Sequence, residues 1–303
     1  MSELPPLVFQ APVADWGWQI AWFFWFVAIG GGLAVAYWQV RRAAVAFTVF
    51  VATALGLLLV FFHLGRWWNM PLVLWELIRA GEFNLGSWMF LGVIILTVHL
   101  LLGALAAYAH AEDVGIYPPF GDRVREMTEG ALFRGVFAAN GVLSVVYSGF
   151  LLTQAHGIPL WGTALIPILW LISSAVAAVA VLELFYVLGL VDERVSVAGM
   201  KLALGLDALK LIAVLAFLHV SLTAMSAAAR AGAEELVSGS LAWLTWGGVI
   251  GLGLAVPILL AALMLRYGKS KGLIAVSAVS SLAGVLFLRA SVLLAGAWEP
   301  LLG

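Results

Sequence analysis

Eight long apolar stretches, each closed by a short polar one, set the pattern of the chain: 17–40, 45–64, 86–109, 131–154, 164–190, 201–225, 241–265 and 273–297. Each has roughly the 20 residues that carry an α-helix across a hydrocarbon core. Backbone groups in lipid find no water, so such stretches must be helical. The pattern predicts an all-α polytopic membrane protein, a single integral membrane domain over 1–303 with eight transmembrane helices. Residues 1–15 lack a basic region followed by a short apolar segment and a cleavage site, and read as a retained polar-to-interfacial lead-in. Residues 72–83, after Pro71, mix tryptophan, aliphatics and charges and read as an interfacial helix or an ordered loop. The stretches 191–199 and 227–239 read as connections, the second exposed.

Local residues refine the spans. Gly30-Gly31-Gly32 would be poor helix formers in water, but in a membrane bundle they let backbones approach closely. Pro167 falls near the start of its helix, where proline costs least. Pro257 follows several glycines in the seventh span, so a kink is expected there. Eight helices can be shared between two four-helix bundles, with an approximate division into 1–155 and 156–303.

Composition agrees with this class. Of 303 residues, 64% are hydrophobic and 10% charged, the balance expected where lipid replaces water around the surface. The formal charge of −1 gives no argument for nucleic acid. There is no cysteine, so neither a disulfide nor a cysteine-ligated iron–sulfur cluster can form within the chain. The loops after odd-numbered spans hold ten lysines and arginines against three, Arg66, Arg79 and Arg230, after even-numbered ones. The positive-inside rule then puts both termini, and the end of the second span, on the non-cytoplasmic side.

That second span closes on His63, Arg66 and Asn69 with Trp67 and Trp68. The three polar residues recur at three-residue steps, on one face if the helix continues so far. Ionisable groups near a membrane helix end are either functional or interfacial, and the tryptophans mark headgroup level. A second constellation is Glu183, Asp207, Lys210 and Arg289 inside the spans. Asp207 and Lys210 lie one turn apart, spaced for a charge pair. The group reads either as a proton path or as a compensating charge network, because an isolated charge in hydrocarbon costs about 2–3 kcal/mol or more. His99 and His219 are the histidines to test as haem ligands, but no bis-histidine spacing recurs. No metal site is expected, and the triple glycine lacks the strand-to-helix setting of a phosphate loop.

The ordered set His63-Leu64-Gly65-Arg66, Asn69, Ser87-Trp88, Tyr147-Ser148-Gly149, Gly157-Ile158-Pro159-Leu160-Trp161, Gly284, Leu288, Arg289 and Gly296 resembles the NrfD-like family of membrane subunits, which includes the polysulfide reductase anchor. The resemblance implies two four-helix bundles and a quinone- or quinol-binding subunit without haem, in a prokaryotic cytoplasmic membrane. It implies an iron–sulfur electron-transfer partner and, in many complexes, a catalytic subunit carrying molybdopterin. It places the quinone site near the non-cytoplasmic boundary of the first bundle. Tyr147 matches a ring-contacting tyrosine of the polysulfide-reductase branch. Gln19 offers an amide in the first helix, whereas Trp22 and Phe23 stand where polar character is expected. His63 and Tyr147 are the candidates for hydrogen bonding and proton exchange, with Gln19, Trp22, Phe23, Arg66 and Asn69 around them. The competing readings are a secondary transporter, which would use the same buried charges, and a purely structural anchor.

Overall fold

The computed structural model describes residues 13–69, 72, 75–76, 79–81 and 83–299. The lead-in up to residue 12, and five of the twelve residues of the interfacial segment expected at 72–83, lie outside the described residues; 72, 75–76 and 79–80 of that segment are helical. Among the described residues, ten longer helices with described bounds follow in order. They are α1 (Trp18–Ala36), α2 (Ala43–His63), α3 (Trp88–Ala109), the short α4 (Gly121–Glu129), α5 (Ala131–Thr153), α6 (Leu165–Val187), α7 (Glu193–Leu222), the short α8 (Ala227–Val237), α9 (Leu244–Tyr267) and α10 (Lys271–Leu294). Eight of them are long and apolar enough to cross a membrane. No strand forms among the described residues beyond an isolated bridge between Val13 and Ala297. The chain is an all-α integral membrane protein.

Helices α1, α2, α3 and α5 pack in a closed ring, α1 on α2, α2 on α3, α3 on α5 and α5 on α1. Helices α6, α7, α9 and α10 form a second set of neighbours. α1 sits between them, touching α6 and α10 as well as its own ring. The triple glycine makes this possible. A Cβ on Gly31 would lie 2.7 Å from the Gly141 carbonyl oxygen of α5, one on Gly32 would lie 2.5 Å from the Ser174 carbonyl oxygen of α6, and one on Gly30 would lie 2.9 Å from the Thr53 hydroxyl of α2. Three consecutive residues thus meet three helices.

Four local expectations change. α7 begins at Glu193, so most of the connection expected at 191–199 is helical, with an acidic side chain in the first turn where the helix dipole favours it. The stretch 227–239, expected to be exposed, is the packed helix α8, capped by the Ser226 hydroxyl accepting from the Ala229 amide. Its Ala229, Ala233 and Leu236 are buried. The charged link after α3 contains α4. Finally, Leu244–Ala255 is wound as a π-helix that turns α-helical at Val256, one residue before Pro257.

Candidate functional site

Because the spans alternate in direction, the start of α1, the end of α2, the start of α3 and the end of α5 share one end of the first ring. Tyr147 lies there in α5, buried against α3. A Cβ on Gly92 would come within 2.1 Å of the Tyr147 ring, so the tyrosine occupies the space that glycine leaves on α3. Ile20 and Phe23 of α1 belong to the same buried apolar cluster. Phe23 is buried, whereas Trp22 is exposed and meets Trp25 edge-on at 5.2 Å. The Gln19 side chain donates from Nε2 to the Leu59 carbonyl at 2.9 Å and ties α1 to α2 one turn before His63.

α2 stops at His63. Leu64 is extended (φ −66°, ψ 120°), and Trp67–Asn69 is a separate 3₁₀ turn. His63, Arg66 and Asn69 therefore do not share a helical face. His63 is half-buried and Arg66 exposed at the rim. No hydrogen bond or ion pair joins these three to Tyr147 among the described residues.

One functional-looking contact at this end escaped the sequence. The Gln154 side chain accepts from the Trp88 amide at 2.8 Å and donates to the Gly86 carbonyl at 2.8 Å. It therefore fixes the start of α3 against the end of α5, and Trp88 stacks on Phe150 with ring centroids 4.8 Å apart. An amide at a helix end two spans away from Ser87-Trp88 gives no local signal of this pairing.

Within the second set, Lys210 and Asp207 are paired at 3.1 Å and almost fully buried. Lys210 also donates to the Gly253 carbonyl at 2.6 Å. Glu183 and Asp207 line one small cavity of about 20 Å³ together with Ser277 and Ser281, room for about one water. Arg289 stands apart from this group. It donates to the hydroxyls of Ser173 and Ser174 and to the carbonyls of Phe24 and Val285, each at 3.1 Å, under the face of Trp170. The serines of α6 rather than a carboxylate satisfy the guanidinium among the described residues, joining α10 to α6 and α1.

The two candidate haem histidines lie far apart in environment. His99 is buried in α3 and bonds through Nδ1 to Asn140 Oδ1 at 2.8 Å, while His219 is exposed in the last turn of α7. No cluster of three or more potential metal-ligating side chains occurs among the described residues. At the opposite, basic end, the buried His110 joins the Tyr37 hydroxyl at 3.0 Å to Asp113 at 2.7 Å, and Arg125 grips Asp113 with both terminal nitrogens. Burial alone would raise the Asp113 carboxyl, but its bonds from His110 and Arg125, and their charges, outweigh that and hold it below the ordinary carboxylate range.

Comparison with known proteins adds to this geometry. Residues 7–299 match the family model described as "Polysulphide reductase, NrfD". The chain belongs to the NrfD polysulphide reductase family. It is 30% identical over 324 aligned positions to the C chain of polysulfide reductase from Wolinella succinogenes, with 98% of each protein covered. It is 29% identical over 332 positions to Protein NrfD of Escherichia coli, again with 98% of each covered. Membrane subunits of this family are membrane anchors of redox complexes.

Proposed function

We propose that this NrfD-family chain binds quinol or quinone at the Tyr147 end of its first helix ring and exchanges reducing equivalents with an iron–sulfur partner, within a complex whose catalytic subunit carries molybdenum. The observation that carries the reading is the seating of Tyr147. It is buried on Gly92 at the end where Gln19 and His63 also lie. A quinone needs an apolar slot for its ring and tail with a few directed polar groups at the carbonyls. Ile20 and Phe23 supply the slot wall. Tyr147 donates a hydroxyl hydrogen bond, Gln19 keeps its carbonyl oxygen as an acceptor, and His63 holds or passes a proton at the rim. Oxidation of a quinol releases two electrons and two protons. The electrons go to the partner's cluster, since this cysteine-free chain has no such ligands, and the protons leave at the rim.

The test is isolation of the native complex, metal analysis and quinol-dependent turnover in lipid. An iron–sulfur partner together with a quinol response supports the reading; the absence of both sinks it. The ten-to-three bias of basic residues supports a cytoplasmic membrane with both termini and the Tyr147 end on the non-cytoplasmic side. The neighbour sets support a two-bundle division near residue 155. Glu183, Asp207 and Lys210 form a buried charge network suited to proton transfer. Under that assignment, Asp207→Asn slows proton uptake more than partial electron transfer, and equal effects reject it. Transport by paired broken helices is less favoured, because a π-to-α break occurs in one span only among the described residues.

A further inference from the structure

A crevice of about 800 Å³ opens between α1, α5, α6 and α7, at the basic end and away from Tyr147. It exists because its floor is built of small residues, Gly31, Gly141, Ala175, Ala178 and Gly199. Its lips, Val35, Leu171 and Leu202, are exposed apolar side chains, so it faces the hydrocarbon. On α1 the lining runs from Gly31 to Ala36, with Gln39 and Val40 just past its end, and on α6 from Leu171 to Leu182. At 1.5 Å per residue the α6 stretch gives a depth of about 17 Å. Half a hydrocarbon core is about 15 Å. The crevice is therefore one leaflet deep.

Polar groups occur where it reaches the interface. Gln39 and Arg194 line that end, both exposed. Arg194 makes no ion pair or hydrogen bond with any described residue, whereas nearby Arg42 is held by Asp192 at 2.7 Å. The connection after α1 and the start of α7 carry Arg41, Arg42, Arg194 and Lys201 against Asp192 and Glu193, a net positive rim. A partner's apolar transmembrane helix would leave the charged Arg194 at the mouth without a counter-charge. A neutral redox ring would gain nothing from a free guanidinium that a phosphate would not gain more strongly.

We propose that this crevice is a binding site for an anionic phospholipid, with acyl chain in the small-residue floor and phosphate on Arg194. Basic pockets between helices at the cytoplasmic interface recognise lipid headgroups in this way, with each basic residue worth about 1 kcal/mol, or about fivefold in affinity.

The experiment is native mass spectrometry of the purified protein titrated with phosphatidylglycerol or phosphatidylcholine of identical chains. The native chain should retain phosphatidylglycerol about fivefold better. Arg194→Gln should abolish that preference, while Lys201→Gln, at the same end but off the crevice lining, should keep it. Ala175→Phe should displace lipid of both kinds with an unchanged elution profile. Equal retention of the two lipids by the native chain overturns the proposal, as does a preference that survives Arg194→Gln. Stoichiometric displacement of bound phosphatidylglycerol by a short-chain quinone would also overturn it, assigning the crevice to quinone instead. Should Ala175→Phe fail to fold, the Arg194→Gln and Lys201→Gln pair decides alone.

Discussion

Lys210 of α7 donates to the Gly253 carbonyl of α9 at 2.6 Å, near the end of the π-wound stretch that turns α-helical just before Pro257. The buried cation thus ties α7 to that stretch, and Asp207 balances the charge at 3.1 Å. Removing one partner of such a buried pair costs about 3–5 kcal/mol. Lys210→Met should therefore lower the melting temperature in detergent sharply. Adding Asp207→Leu should recover a large part of the loss, because no unpaired carboxylate remains. A double variant no more stable than the single one would contradict this account.

Tyr147→Phe keeps the ring on Gly92 and removes only the hydroxyl. Under the quinone reading, it should reduce quinol-dependent turnover by about fivefold or more with an unchanged melting temperature, since a lost directional hydrogen bond in a buried slot costs about 1–3 kcal/mol. Gly92→Ala should lose both stability and turnover, because its Cβ would fall 2.1 Å from the ring. Full turnover of Tyr147→Phe in lipid would remove this residue from the site.

The glycines of α1 are predicted to be intolerant. Gly31→Val pushes a side chain onto the Gly141 backbone, where nothing can rotate away, and should prevent recovery of monodisperse protein on size exclusion. Gly65→Ala meets nothing within 4 Å and should purify normally.

Acid should loosen the basic end. Asp113 has a folded-state pKa below its ordinary value of 3.8. Its contribution is therefore complete above about pH 4 and is lost as the pH falls through the folded value. Asp113→Asn should melt lower than the native chain at neutral pH, and its melting temperature should vary less with pH below about 4. Parallel profiles for the two proteins would show that Asp113 is not responsible.

The absence of cysteine makes sidedness directly measurable. In intact cells, His156→Cys should react with an impermeant maleimide from outside and Lys269→Cys only after lysis. The reverse pattern would invert the topology inferred from the basic loops.

The spans were legible because a membrane helix needs only length and apolarity, and both are local. Asp207 and Lys210 were legible for the same reason, as they are one turn apart. α8 was not, because its alanines have little hydropathy and its buried face is defined by what packs on it. The break after His63 was hidden because nothing in Leu64-Gly65 compels the chain to leave the helix there. Arg289 was recognised as needing a partner, but Ser173 and Ser174 lie 116 and 115 positions away. The Tyr37–His110–Asp113–Arg125 relay likewise draws on residues from separate segments, so only the folded molecule reveals it. At the candidate site, Tyr147 came from family resemblance, while the Gln154 clamp needed coordinates.

The glycine notch on α1 has a consequence for biogenesis. α1 presents Gly32 to α6 and packs on α10, both of which are made after it. Its bare backbone must wait in lipid, or beside an insertion factor, until α6 has been synthesised. Chains truncated after α5 should therefore be recognised by membrane quality control as unfinished, however complete their first four spans.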